Sequence, residues 1–345
     1  MGGVPVVVAE VPDWPAAVRE AAEFVRVPFD LVEGPVVRAG LFRVSSVECL
    51  FVVAVHHIAF DGWSLGVFAR ELSVLYGGGV LPPLGVQYVD FAVWQRGWLA
   101  DGVVDEQLRY WRERLAGVAP VVDLPVDRPR PVVQSFRGAR VPVVLSGEVM
   151  GRVRGVCAAE GVTVFMFLLA AWKVLLARCS GQRDVVVGVP VAGRPRVELE
   201  SLVGFFVNTL VLRTDVGGDL SVREVLGRVR ESAVGAFAHQ DVPFERLVEE
   251  LSPRRELSYS PLFQVLFVLQ NAPLGELACG GARLEPVDVD LGTAKFDLTL
   301  DVREVGDGVV GSLEYSVDVF DEATAVAFVE RFGVLVDGMS LNPDT

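Results

Sequence analysis

Two adjacent histidines are the residues of this sequence with the clearest capacity for chemistry. The chain has three histidines among its 345 residues, and two of them stand side by side in the block HHIAFDGWS, residues 56–64. A neutral imidazole can accept a proton near physiological pH, which makes histidine the commonest general base of enzymes. The block therefore predicts a catalytic or histidine-stabilised loop.

The spacing inside the block leaves two interpretations open. Neighbouring residues at a strand end point to opposite sides, so one imidazole can face a cleft while the other is held by the protein. Asp61 suits a turn, and Gly62 permits close backbone approach by a ligand. The arrangement fits two interpretations equally well. One is a catalytic base, and the other is a structural turn in which Asp61 caps a helix. It does not have the HExxH spacing of a metal site.

The surrounding pattern predicts the elements that position this block. Runs rich in β-branched residues predict strands at 4–9, 36–44 and 48–55, with a helix at 14–25 between the first two. After Gly62 the periodicity becomes helical, with an apolar face predicted to be core at Leu65, Phe68, Leu72 and Leu75. The histidines therefore lie at the exit of a strand, before a helix.

Further along, the pattern predicts helices at 162–178, 222–237 and 321–339 and a strand at 184–190. The mostly apolar block 203–213 contains two uncharged polar residues, Asn208 and Thr209. Unpaired polar groups are costly in apolar surroundings. We therefore expect both to hydrogen-bond within the core or to a ligand.

Composition excludes several classes of protein. With 45 acidic and 31 basic residues the net charge is −14, and no basic patch stands out, so nucleic acid is not an expected partner. The sequence shows no membrane-spanning stretch and no export signal, which makes the cytoplasm the expected location. The four cysteines lack CxxC spacing, and no nucleotide-binding fingerprint is present, so we expect no metal and no bound cofactor.

The histidine block resembles the HHxxxDGxS motif of condensation domains from non-ribosomal peptide synthetases, members of the chloramphenicol-acetyltransferase-like superfamily. Four further blocks resemble motifs of that family in the same order: YVDFAVWQ at 88–95, VGFFVNTLVLR at 203–213, HQDVPFE at 239–245 and SYSPLFQ at 258–264. Five ordered matches are far more specific than one. The connecting segments 28–44 and 124–131 also resemble the family, so the resemblance covers nearly the whole chain.

The resemblance implies an α/β (α+β) fold of two chloramphenicol-acetyltransferase-like lobes in a V shape. Each lobe would hold a mixed sheet with flanking helices, and an active-site tunnel would run between them. The length of the chain also favours two lobes over one hydrophobic core. We predict an N-terminal, donor-side lobe at 1–120 and a C-terminal lobe at 121–345, with the crossing near the Pro/Arg-rich segment 124–131.

The resemblance also implies a reaction, the joining of donor and acceptor aminoacyl or peptidyl thioesters by a condensation domain of the L-donor, L-acceptor type. The implied catalytic set is His57, His56, Asp61 and Gly62. The implied substrate contacts are Trp63, Ser64, Asn208 and Thr209.

Within that set the implied roles differ. His57 would face the tunnel and either accept the proton of the attacking amine or hydrogen-bond to it, whereas His56 would be buried and structural. Asp61 would form an ion pair with Arg194 across the lobes, and Gly62 would bring a backbone N–H close to the thioester.

The implied partners are donor and acceptor peptidyl carrier proteins, whose 4'-phosphopantetheine arms deliver the substrates, and a neighbouring adenylation domain. The first two motifs of the family have no counterpart in the sequence, so we expect an N-terminally truncated domain. Two alternatives stay open: an epimerisation domain of the same superfamily, and a catalytically silent fragment that binds carrier proteins.

Overall fold

The computed structural model describes residues 3–100, 102–251, 256–270, 278–287 and 289–344. Its helices are α1 (Trp14–Arg26), α2 (Gly62–Tyr76), α3 (Tyr88–Ala100), α4 (Val103–Leu115), α5 (Gly147–Glu160), α6 (Val164–Ser180), α7 (Val222–Ala238), α8 (Phe244–Leu251) and α9 (Glu322–Leu341). Its strands are β1 (Val6–Glu10), β2 (Val37–Arg43), β3 (Cys49–Val55), β4 (Gly138–Leu145), β5 (Asp184–Val191), β6 (Asn208–Asp215), β7 (Val265–Gln270), β8 (Ala278–Cys279), β9 (Ala282–Arg283), β10 (Leu298–Val305) and β11 (Gly308–Ser316). Two mixed sheets with flanking helices confirm the predicted α/β fold class.

The chain forms two compact units, each made of three separate segments. This division differs from the predicted one, which placed a single boundary at residue 120. The first contains Met1–Trp94, Arg194–Val207 and Ala272–Leu291, and the second Gln95–Gly193, Asn208–Asn271 and Gly292–Thr345. Helix α4 belongs to the second unit because Leu108, Trp111 and Leu115 are buried in its core. The predicted crossing segment 124–131 also lies inside the second unit, where Arg130 forms a two-pronged ion pair with Asp297.

The first unit is built on a three-stranded sheet. Strand β2 lies between β1, which runs parallel to it, and β3, which runs antiparallel. Asp13 precedes helix α1, and its carboxylate accepts a hydrogen bond from Ala16 N–H at 2.8 Å, as an N-cap does. The helix packs against the sheet through a cluster of buried apolar residues that includes Ala17, Phe42 and Leu50.

The histidine block connects strand β3 to helix α2. The backbone N–H of His56, one residue past the end of β3, still donates to the carbonyl of Val36 at 2.9 Å. A 3-10 turn follows at His57–Ala59, and Asp61 caps α2 by accepting from the N–H of Ser64 at 2.8 Å. The predicted order of strand, loop and helix is confirmed.

Helix α2 buries a different face from the predicted one. Leu65 and Leu75 are 45% and 55% exposed, whereas Ser64 is fully buried. The Ser64 hydroxyl lies within hydrogen-bonding distance of the Asp61 carboxylate and the carbonyl of Gly204. This polar anchor, which leucine spacing does not reveal, sets the rotation of the helix.

The second unit is built on a six-stranded sheet with the order β4-β11-β10-β7-β5-β6. Helices α5, α6 and α9 pack on one another and on strands of this sheet. Ten residues of α6 are buried, which is typical of a helix inside a core. In the described part of the chain, no single helix is long and apolar enough to cross a membrane; α5 and α6 pass that test only as a pair bent by 104°.

Helix α6 also buries a lysine. The Nζ atom of Lys173 donates to the carbonyl of Val185 at 2.9 Å and to that of Leu212 at 2.5 Å. Burial lowers the pKa of Lys173 from 10.5 to about 7, although the nearby Asp184 acts in the opposite direction. The charge of this core residue therefore depends on pH.

Candidate active site

His57 has one ring nitrogen tied to the protein backbone. Its Nδ1 lies 2.5 Å from the carbonyl oxygen of Phe60. A carbonyl can only accept, so Nδ1 carries the hydrogen and Nε2 of the neutral ring keeps its lone pair. The side chain is exposed, so the turn presents a hydrogen-bond acceptor and potential base to its surroundings.

Phe205 is a contact of His57 to which the sequence assigned no role. Its ring meets the imidazole edge-on, with 4.9 Å between the centroids. The backbone carbonyl of Phe205 accepts a hydrogen bond from the Tyr88 hydroxyl at 2.8 Å. Burial, and to a smaller extent the charge of Asp61, raises the pKa of Tyr88, so this hydroxyl remains a donor. The sequence did contain a signal for this contact, because Tyr88 and Phe205 belong to the two motif blocks 88–95 and 203–213.

His56 is half-buried, not buried as expected. Its Nδ1 accepts a hydrogen bond from the N–H of Ile58 at 3.1 Å. Its ring meets Phe29 edge-on, with 5.9 Å between centroids. These contacts support the structural role that was predicted for His56, although the side chain is only partly shielded from solvent.

Asp61 is the centre of a buried network. Its carboxylate accepts hydrogen bonds from the N–H and hydroxyl of Ser64 at 2.8 and 2.7 Å and from the N–H of Phe206 at 3.0 Å. The guanidinium of Arg194 donates to the same carboxylate at 3.0 Å, and the side chains of this ion pair are each 2% exposed. These bonds place the segment 204–206 beside the start of α2.

The structure thus brings Asp61 and Arg194 together, but the pair lies within the first unit and not across two lobes, because the segment 194–207 groups with that unit. Arg194 also donates to the carbonyls of Leu199 and Leu202 at 2.5 and 2.8 Å, and its guanidinium lies 4.0 Å from the ring centroid of Phe206. Burial lowers the pKa of Arg194, and Asp61 opposes that shift. A guanidinium remains protonated in proteins, so the pair is ionic.

Two residues predicted to contact substrate, Ser64 and Trp63, form hydrogen bonds within the protein. Ser64 is 0% exposed, and its hydroxyl contacts Asp61, Arg194 and Gly204. The indole N–H of Trp63 donates to the carbonyl of Glu200 at 2.9 Å. The burial of the Ser64 hydroxyl is incompatible with the predicted substrate contact, whereas Trp63 is half-buried and a substrate contact of its ring stays a prediction.

Gly62 differs from its neighbours because it is exposed as the first residue of α2. A Cβ atom added there would meet no protein atom within 4 Å. The first N–H groups of a helix have no partner inside the helix. The backbone at Gly62 therefore leaves room for a ligand to approach.

Asn208 and Thr209 lie in the second unit. The amide nitrogen of Asn208 donates to the carbonyls of Gln240 and Val242, both at 2.8 Å, and its oxygen accepts from the N–H groups of Thr209 and Phe244 at 2.8 and 3.0 Å. An asparagine amide can form four such bonds. Asn208 therefore holds the segment 240–244 and has no capacity left for the predicted substrate contact. Thr209 contributes its backbone N–H to this arrangement.

The described residues contain no group of three or more His, Cys, Asp or Glu side chains placed to hold a metal ion. At the histidine loop the structure places the His57 imidazole, the open backbone at Gly62 and the buried Asp61–Arg194 ion pair.

Known proteins are similar to this chain in sequence and in fold. The family model described as "Condensation domain" matches residues 7–345. One of the linear gramicidin synthase proteins of Brevibacillus parabrevis is 49% identical over 92% of this chain, and the chain spans 6% of that protein. The solved X-domain from teicoplanin biosynthesis is 29% identical with a TM-score of 0.91, over 100% of this chain and 80% of that one.

A solved four-domain nonribosomal peptide synthetase bound to AMP and glycine has a TM-score of 0.93 at 25% identity, over 100% of this chain and 28% of the longer one. The match to the family model covers almost the whole chain. This chain belongs to the condensation-domain family, whose members in nonribosomal peptide synthetases are acyltransferase-type enzymes that form amide bonds.

Proposed function

We propose that this domain forms a peptide bond between a donor aminoacyl or peptidyl thioester and the amine of an acceptor aminoacyl thioester. The single observation that supports this most directly is the hydrogen bond from His57 to the Phe60 carbonyl, which leaves Nε2 able to accept a proton. Both substrates would arrive on 4'-phosphopantetheine arms of carrier proteins, so the domain itself needs no bound cofactor. The partners would be the two carrier proteins and a neighbouring adenylation domain in the same cytoplasmic synthetase.

In the proposed reaction the acceptor nitrogen attacks the carbonyl carbon of the donor thioester. A free α-amine has a pKa of about 8, so a substantial fraction is neutral near pH 7 and ready to attack. The N–C bond forms, the C–S bond breaks, and the proton lost by the nitrogen passes to His57 Nε2 and then to the departing thiolate. A positioned base of this kind contributes roughly 10²–10⁴-fold to a rate.

Gly62 and Asp61 support this step in different ways. The open backbone at Gly62 would donate an N–H to the oxygen of the reacting carbonyl, where negative charge develops. Asp61 and Arg194 would act on architecture, because their side chains are each 2% exposed and hydrogen-bond to each other and to the backbone of Leu202 and Phe206.

The test is a peptide-formation assay with carrier proteins loaded with donor and acceptor residues. We expect His57→Ala to lower the rate by at least about 10²-fold while the far-ultraviolet circular dichroism stays unchanged. His239→Ala is the matched control: it removes the third histidine, which stacks on Tyr110 in the second unit, so any effect should fall on stability and not on the rate per folded molecule. Full turnover by His57→Ala, an epimerised donor without dipeptide, or carrier binding without either product would each contradict the proposal.

A further inference from the structure

The two adjacent histidines use the same ring atom in opposite senses. His57 Nδ1 donates to a carbonyl, that of Phe60, whereas His56 Nδ1 accepts from a backbone N–H, that of Ile58. A neutral imidazole has one donor and one acceptor nitrogen. The loop therefore fixes two different tautomers, with the hydrogen on Nδ1 in His57 and on Nε2 in His56.

The bond accepted by His56 is the cap of the turn that carries His57. His56 precedes the 3-10 turn His57–Ala59, its backbone is extended, and its carbonyl accepts from the N–H of Ala59 at 3.0 Å. The side-chain bond to Ile58 satisfies a second N–H at the start of the turn, as an N-cap side chain does. This turn sets how far the His57 ring lies from the Phe60 carbonyl that orients it.

The His56 ring also has an aromatic contact. Its edge-on contact with Phe29 is supported by Arg38, whose guanidinium lies 4.0 Å from the Phe29 ring centroid. Arg38 is itself fixed by donation to the carbonyl of Phe24 at 3.0 Å. The His56 imidazole therefore contacts Phe29, while its Nδ1 accepts the hydrogen bond from Ile58 in the turn.

We propose that His56 is a positioning residue that acts through Nδ1 as a hydrogen-bond acceptor, and that this bond keeps the His57 ring in the tautomer and orientation needed for proton transfer. The inference rests on the proposed function of His57. It gives His56 a defined chemical requirement, an acceptor atom attached directly to Cγ.

Substitutions can separate that requirement from simple loss of bulk. Asparagine carries its Oδ1 on Cγ, where histidine carries Nδ1, and it is a favoured capping residue. Glutamine is closer in length but places its oxygen one carbon further out. We expect His56→Asn to keep the rate within about 3-fold of the native protein, and His56→Gln and His56→Ala to lose roughly 10- to 100-fold, the scale of a misplaced catalytic group.

A readout independent of activity is nitrogen-15 spectroscopy of the ring nitrogens at mildly alkaline pH, in the full chain labelled only at histidine. Three histidines give three rings, and protonated and bare nitrogens have well-separated shifts. In the native protein we expect His57 and His239 to carry hydrogen on Nδ1, since each faces a carbonyl, and His56 on Nε2.

His56→Asn should preserve the Nδ1–H form of His57, whereas His56→Gln and His56→Ala should convert it to a mixture. A His57 signal that is unchanged in all three variants, or lost in all three, overturns the inference. Neither result bears on the proposed function, which is tested separately by the activity of His57→Ala and by the product that the native domain forms. Comparison of the asparagine and glutamine variants keeps the test decisive if His56→Ala does not fold.

Discussion

Replacing Asp61 by asparagine changes one atom in the most heavily bonded group of the histidine loop. The native carboxylate accepts from Ser64, Arg194 and Phe206 at distances between 2.7 and 3.3 Å. Asparagine keeps one oxygen but turns an NH2 group toward donors, and it leaves the guanidinium of Arg194 buried without its counter-charge. Breaking one side of a buried pair costs about 3–5 kcal/mol, a large share of the roughly 5–15 kcal/mol that stabilises a domain.

The matched control is Asp13→Asn, which makes the same chemical change at the exposed N-cap of α1 in the same unit. Asparagine and aspartate cap helices about equally well, so the control should lose less than about 0.5 kcal/mol. Urea unfolding followed by circular dichroism gives both free energies by linear extrapolation. Hydrogen exchange of the Ser64 N–H, which donates to Asp61, reports the local effect. The reasoning is refuted if Asp61→Asn is no more destabilising than Asp13→Asn.

Exchanging the two charges should not restore the stability. Arg194 donates to the carbonyls of Leu199 and Leu202, and Asp61 accepts from backbone N–H groups. A swapped pair would turn a carboxylate toward carbonyls and a guanidinium toward N–H donors. A double-mutant cycle of Asp61→Asn with Arg194→Met measures the coupling instead, and we expect about 0.5–3 kcal/mol, the range for residues in one network.

Two further predictions concern the second unit. Asn208→Asp would set an oxygen against the carbonyls of Gln240 and Val242, so we expect a loss of about 2–4 kcal/mol in urea unfolding; a loss below about 1 kcal/mol would show that segment 240–244 does not depend on this amide. Lys173 has a folded pKa of about 7, below its ordinary 10.5, so between these values the unfolded chain binds a proton that the folded chain has released. The free energy of unfolding should therefore rise with pH across this window, by up to about 5 kcal/mol, and Lys173→Met should remove the rise; parallel pH curves for the two proteins would contradict the assignment.

The sequence alone located the elements whose signals are local. Helices predicted at 162–178, 222–237 and 321–339 are observed at Val164–Ser180, Val222–Ala238 and Glu322–Leu341, and the strand before the histidines is observed at Cys49–Val55. These features could be predicted because apolar periodicity and capping residues act between neighbours in sequence. The five ordered motifs likewise identified the family that the comparisons show.

Contacts between distant segments were decided only by the tertiary structure. The chain has 31 basic residues, and the resemblance pointed to Arg194, but only the folded chain shows it reaching Asp61 from 133 positions away and within the same unit. Ser64 and Asn208 were expected at the substrate; the structure shows their hydrogen-bonding groups engaged by backbone far along the chain. Whether a polar side chain is free to bind depends on all its partners, and these are known only once every segment has its place.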